Sequence, residues 1–129
     1  MCTNELPKFE NIEALVVDDM KEVGKTIGSL LTVLGINSDI ENYSSKVESL
    51  IKEKEYDIIV CDLAMPVLNG IEVSRIVKSY NKDIKFILMT GWPDDIKNEN
   101  LETVDVMLQK PCTLEVIAST IDSLINHPT

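Results

Sequence analysis

Short apolar runs alternate along the chain with stretches in which apolar residues recur at helical spacing. Ala14-Leu15-Val16-Val17, Ile58-Ile59-Val60-Cys61 and Phe86-Ile87-Leu88-Met89 are continuous, the pattern of strands buried on both faces. Val104, Val106, Met107 and Leu108 predict another strand, and the more polar Ile36 to Tyr43, with Ile40 beside acids, an edge strand. Val23, Ile27, Leu30, Leu31 and Leu34 share one helical face; Val47, Leu50 and Ile51 mark a second helix; Val73, Ile76, Val77 and Tyr80 a third. Leu114, Ile117, Ile121, Leu124 and Ile125 line a closing helix, with Thr113 as its N-cap. Asp94 to Glu102 has only Ile96 and Leu101 as main apolar residues and predicts one more, short helix. Gly35 is placed to end the first helix. Gly24 and Gly28 inside it each cost about 1 kcal/mol relative to Ala, so they predict tight packing against the sheet.

This alternation defines an α/β fold: a single flavodoxin-like, doubly wound, five-stranded parallel sheet, order 2-1-3-4-5, with five helices. Ligands of such sheets bind beyond the carboxyl ends of the strands, near the point where strand order reverses. Four runs end in polar residues, namely Asp18-Asp19, Asp62, Thr90 and Lys110. In that order their strands are neighbours, so these residues converge. Three carboxylates in one patch repel unless a cation is present. A hard divalent ion such as Mg²⁺ takes one or two carboxylates and shares its other positions with water and phosphate. Lys110 and Thr90 suit the oxygens of a phosphoryl group, and a carboxylate can act as nucleophile to form an aspartyl phosphate. Taken singly, the acid pair reads as a solvated helix start, and Asp62, Thr90-Gly91 and Lys110-Pro111 as turns. The ordered set at successive strand ends carries the chemistry.

Composition narrows the partners. The 129 residues are 44% hydrophobic and 26% charged, enough for one globular core. Twelve Lys+Arg against 22 Asp+Glu give a net charge of -10, which disfavours nucleic-acid binding. No apolar run approaches a membrane span and no signal peptide is visible. Cys2, Cys61 and Cys112 form no CxxC, and the only histidine, His127, stands near the end as part of a frayed tail, so a zinc site has no ligand set. Sparse, odd cysteines fit a reducing, cytoplasmic setting. A flavin-binding alternative fails at Asp18-Asp19-Met20-Lys21, whose acids would repel a flavin phosphate.

Val-Val-Asp18-Asp19, Asp62-Leu-Ala-Met65-Pro66-Val-Leu-Asn69-Gly70, Leu88-Met89-Thr90-Gly91 and Gln109-Lys110-Pro111 closely resemble, in order, the motifs of bacterial response regulator receiver domains. The resemblance runs from about Ile12 to Ile125 and implies a receiver domain over 9–127 after an N-terminal extension, 1–8. It implies that Asp62 takes a phosphoryl group from the phosphohistidine of a sensor histidine kinase or phosphotransfer protein, with Mg²⁺ as cofactor. Asp19, Asp62 and the backbone carbonyl of Ala64 would bind the metal, with Asp18 assisting. Thr90 and Lys110 would bind phosphoryl oxygens, Gly91 would leave room for them, and Pro66 and Gly70 would shape the loop. Such a protein is not a conventional enzyme: it catalyses its own phosphorylation and dephosphorylation and switches its binding to a downstream protein.

Two positions depart from the family pattern. Met107 stands where Tyr or Phe usually rotates with the Thr90 position in the switch, and Cys112 where Phe is common; Cys112 reads as a small, partly buried filler. Ala64 and Trp92 occupy positions that tune phosphoryl lifetime, and an apolar Ala64 with a bulky Trp92 predicts slow loss. The weakly patterned 94–102 segment is the part expected to shift on phosphorylation. The alternative is an adaptor of the same fold that works without phosphorylation.

Overall fold

The structure, a computed structural model, describes residues 6–126. Cys2, His127 and both outer limits of the expected domain organisation lie outside them. The chain runs β1 (Glu13–Val17), α1 (Lys21–Val33), β2 (Asn37–Glu41), a 3-10 turn (Ser44–Lys46) leading into α2 (Val47–Glu53), β3 (Ile58–Asp62) and α3 (Gly70–Tyr80). It continues through β4 (Lys85–Thr90), a second 3-10 turn (Pro93–Ile96), β5 (Val106–Gln109) and α4 (Leu114–Asn126). The strands form one parallel sheet in the predicted order β2-β1-β3-β4-β5.

Side chains of successive strand residues leave the sheet on opposite faces, and each face builds its own core. Leu15, Val17, Ile59, Cys61, Phe86 and Leu88 pack with Val47 and Ile51 of α2 and Ile71, Val73 and Val77 of α3. Ala14, Val16, Ile58, Val60, Ile87 and Met89 pack with Ile27 and Leu31 of α1 and Ile117, Ala118 and Ile121 of α4. The central strands read as unbroken apolar runs because both faces are covered. Both glycines of α1 face Ile40: a Cβ on Gly24 would come within 2.9 Å of Ile40 Cγ2, and one on Gly28 within 3.0 Å of Ile40 Cδ1. They let α1 lie close to the edge strand. Gly35 follows α1 at φ +84, and Thr113 Oγ1 accepts from Val116 N at 3.2 Å at the start of α4, as each was expected to do. An Asn69–Glu72 capping box opens α3.

The expected fifth helix is not formed. Among the described residues there are four α-helices, and only the Pro93–Ile96 turn stands where Asp94 to Glu102 was predicted helical. Ile96 is the segment's one buried hydrophobic anchor, and the side chain of Asn100 turns the backbone by accepting from Glu102 N at 2.9 Å. The segment is instead tied to α3 by a Ser74–Thr103 hydroxyl contact of 2.6 Å and a Lys78–Asp105 ion pair of 2.6 Å. No described helix is long and apolar enough to cross a membrane.

Candidate functional site

β1, β3, β4 and the turn after β5 deliver Asp18-Asp19, Asp62, Thr90 and Lys110 to the carboxyl edge of the sheet. Asp18 is 3% exposed. Its N–H donates to Glu41 O at 3.1 Å, and its carbonyl accepts from Asn42 Nδ2 at 2.8 Å. Its Oδ1 accepts from Met20 N at 2.9 Å, and its Oδ2 lies 3.1 Å from Lys110 Nζ. Asp62, the last residue of β3 and 9% exposed, places Oδ1 2.8 Å from the same ammonium. Asp19 is exposed. Asp18, Asp19 and Asp62 each present a carboxylate oxygen within 4.8 Å of the others.

Burial raises the pKa of Asp62 above the ordinary carboxylate value; Lys110 pulls it down, and the charges of Asp18 and Asp19 push it further up. Burial disfavours the charged form of Lys110, but hydrogen bonds to Asp62 and Asp18 outweigh it and raise the Lys110 pKa. One ammonium thus serves two carboxylates and leaves the cluster with excess negative charge. Three hard oxygen donors so close together suit a divalent cation of the Mg²⁺ type.

Thr90, 4% exposed, accepts from Trp92 N at 3.0 Å through Oγ1, and its carbonyl receives Lys110 N at 2.8 Å. A Cβ on Gly91 would meet nothing within 4 Å, so the space beside Thr90 is open. Ala64 and Trp92 are both exposed, Trp92 by 75%. Met107 pairs with Leu88 in register, two positions before the Thr90–Gln109 pair, and packs half-buried against the α2–α3 core. It therefore shares the sheet face of Thr90. Cys112 is half-buried, its Sγ 3.2 Å from Gln109 O, and burial raises its pKa, consistent with a filler.

The loop from Leu63 to Asn69 closes on itself: Gly70 N donates to Leu63 O at 2.8 Å. A Cβ on Gly70 would collide with Asp62 O and Leu88 Cδ1, so only glycine lets α3 start against the acid's own backbone. Two residues of the β2–α2 connection, which the sequence did not single out, hold the acid-bearing loops. Asn42 bonds the carbonyl of Asp18, and the hydroxyl of Ser44 bonds Pro66 O at 2.9 Å and Leu68 N at 3.2 Å. Both look like solvated turn residues, and no local spacing reveals such long-range bonds.

A five-stranded 2-1-3-4-5 sheet with an acid triad, a threonine and a lysine at its carboxyl edge defines a phosphoryl-acceptor architecture. The family model for the response regulator receiver domain matches residues 14–122. The chain belongs to the response regulator receiver domain family. It is 28% identical over 117 residues to the autoinducer 1 sensor kinase/phosphatase LuxN of Vibrio campbellii, covering 89% of this chain and 14% of the relative. It is 26% identical over 121 residues to the transcriptional regulatory protein ZraR of Klebsiella oxytoca, covering 92% of this chain and 27% of the relative. The chain thus spans only a minor part of these relatives. Among solved structures, the response regulator TrrA of Thermotoga maritima, in complex with Mg²⁺ and BeF, has the same fold: TM-score 0.82, 22% identity, 88% of this chain and 99% of that one. So does the receiver domain of a sensor histidine kinase of Pseudomonas aeruginosa with a magnesium ion in its active site cleft: TM-score 0.81, 22% identity, 89% and 98% covered.

Proposed function

We propose that this chain is a phosphoacceptor of two-component signalling, taking a phosphoryl group onto Asp62 from the phosphohistidine of a sensor histidine kinase or phosphotransfer protein. The observation that carries this reading is the carboxylate of Asp62 at the end of β3, flanked by two further acids within 4.8 Å and by Lys110 at 2.8 Å. Asp19, Asp62 and the backbone carbonyl of Ala64 would hold Mg²⁺, with Asp18 assisting. When bound, the ion offsets negative charge on the transferring group.

The remaining work falls to the chain. An Asp62 carboxylate oxygen forms the new O–P bond as the N–P bond of the phosphohistidine breaks and the imidazole leaves. Lys110 exchanges a carboxylate contact for a phosphoryl oxygen. Thr90 Oγ1, which accepts from Trp92 N, retains its own proton to donate to another, and the open space at Gly91 admits the group. Water attack on phosphorus later releases phosphate and restores the Asp62 carboxylate, so the chain completes the cycle on itself without being a conventional enzyme. The modified form would bind its downstream protein differently.

Intact mass after incubation with a small phosphodonor and Mg²⁺ tests this. Wild type should gain one phosphoryl group, and Asp62→Asn or added chelator should abolish the gain. Met107, a non-aromatic side chain beside Thr90's position on the sheet, favours a second reading, an adaptor that works without phosphorylation. Failure of both small donors and a panel of phosphorylated kinases to modify the wild type would select it.

A further inference from the structure

Val67 lies in the phosphoacceptor loop at φ +71. A β-branched residue there is a conformational outlier, and the Leu68 N to Pro66 O hydrogen bond of 2.9 Å closes a tight three-residue turn around it, a rare and strained form. Val67 does not offset that strain by burial, because its side chain is 81% exposed. Strained backbone persists only where its surroundings over-determine it, so the restraint must come from the turn's flanks. On one side Met65 and Leu68 pack partly buried against the α2–α3 core. On the other stands a single hydroxyl. Ser44 Oγ, on a residue 4% exposed, donates to Pro66 O at 2.9 Å and accepts from Leu68 N at 3.2 Å. It grips the same two backbone groups that close the turn. Ser44 belongs to the β2–α2 connection, which supplies no acid to the site.

Resting on the phosphoacceptor reading, we infer that Ser44 is a positioning residue: its hydroxyl holds the strained Pro66–Leu68 turn and thereby fixes the loop that carries Ala64, whose carbonyl that reading assigns to the metal. The loop is short and its ends are pinned by the Gly70 N to Leu63 O bond. Relaxation at Val67 is therefore passed along the backbone to Ala64 rather than absorbed elsewhere. Without the hydroxyl, the turn moves toward negative φ at Val67 and the oxygen donors no longer converge.

The test reads Mg²⁺ affinity in the full chain by NMR titration with MgCl₂ alone, following the amides of Asp62 and Leu63, with thermal melts to confirm folding. Ser44→Ala should weaken Mg²⁺ binding on the order of tenfold, the scale of two lost hydrogen bonds. Val67→Gly, which adopts positive φ without strain, should restore affinity in the Ser44→Ala background and raise Tm by itself. An affinity within about twofold of wild type in Ser44→Ala, less than one such bond is worth, overturns the inference, as does a loss that Val67→Gly leaves uncorrected. Should Ser44→Ala not fold, Val67→Gly decides: a lowered Tm refutes the strained turn, and a raised Tm supports it. Wild type that neither binds Mg²⁺ nor accepts a phosphoryl group would instead defeat the phosphoacceptor reading, and this inference with it.

Discussion

Lys110 holds Asp18 and Asp62 together, at 3.1 and 2.8 Å, and the resting site is organised around that one cation. On the proposed function, its neighbours Ala64 and Trp92 should set how long a phosphoryl group survives. Ala64 is exposed and offers no polar side-chain atom to orient water, while the bulky Trp92, 75% exposed, follows Thr90 by two residues. Ala64→Asn should speed phosphoryl loss roughly tenfold by positioning water, and Trp92→Ala should speed it by removing cover. Unchanged decay of radiolabelled protein in both variants would contradict this. Away from the site, hydrogen bonds from Tyr56 at 2.6 Å and Lys54 at 2.9 Å hold the Asp39 pKa below its ordinary 3.8. A depressed carboxylate contributes stability that is complete above the unfolded pKa and disappears as pH falls through the folded one. Asp39→Asn should therefore lower Tm at neutral pH by a small, salt-sensitive amount, since both side chains are about half exposed. The deficit should vanish in strong acid, and a pH-independent deficit would exclude this ion pair as its source. At this scale the strand-end residues Asp18, Asp19, Asp62, Thr90 and Lys110 were legible because strand boundaries place them. Asn42 and Ser44 were not, because their partners lie 24 and 22 residues away.

Among the elements, β1, β3 and β4 could be read from the sequence because burial on two faces leaves unbroken apolar runs. The long helices were equally legible, since each shows one apolar face and α1 carries glycines where Ile40 approaches. The failure came at Asp94 to Glu102, where too few apolar residues recur to hold a helix against the sheet and asparagine side chains compete for the backbone. The resulting connection leans on Ser74–Thr103 and on Asp105, whose Oδ2 accepts from both Lys78 Nζ at 2.6 Å and Phe86 N at 2.7 Å. Asp105→Ala should cost about 2 kcal/mol by leaving Phe86 N without its acceptor and Lys78 without its counter-charge, although the ammonium keeps Ile84 O at 2.7 Å. Poorly packed segments open first. Hydrogen exchange should show altered protection in residues 93–105 when a beryllofluoride mimic occupies the site, with β1 and β3 unchanged. Identical protection with and without the mimic would remove this segment from the switch.

For the whole molecule, strand order decides everything that follows. Reversal between β1 and β3 opens the crevice, and the parallel register brings residues more than ninety positions apart, Asp18 and Lys110, into contact. The order was legible because alternating strands and helices joined by right-handed crossovers allow few topologies. The net charge of -10 gives the molecule a negative field that attracts cations. The proposed function puts the phosphoryl group on Asp62 and not on its two neighbouring acids. Borohydride reduction of the phosphorylated protein, followed by peptide mass spectrometry, tests it most directly, since an aspartyl phosphate is reduced to homoserine where it stands. Homoserine at position 62 alone, absent when Mg²⁺ is chelated, is the predicted result. Homoserine at position 18 or 19, or none in a protein that has gained a phosphoryl group, would contradict it.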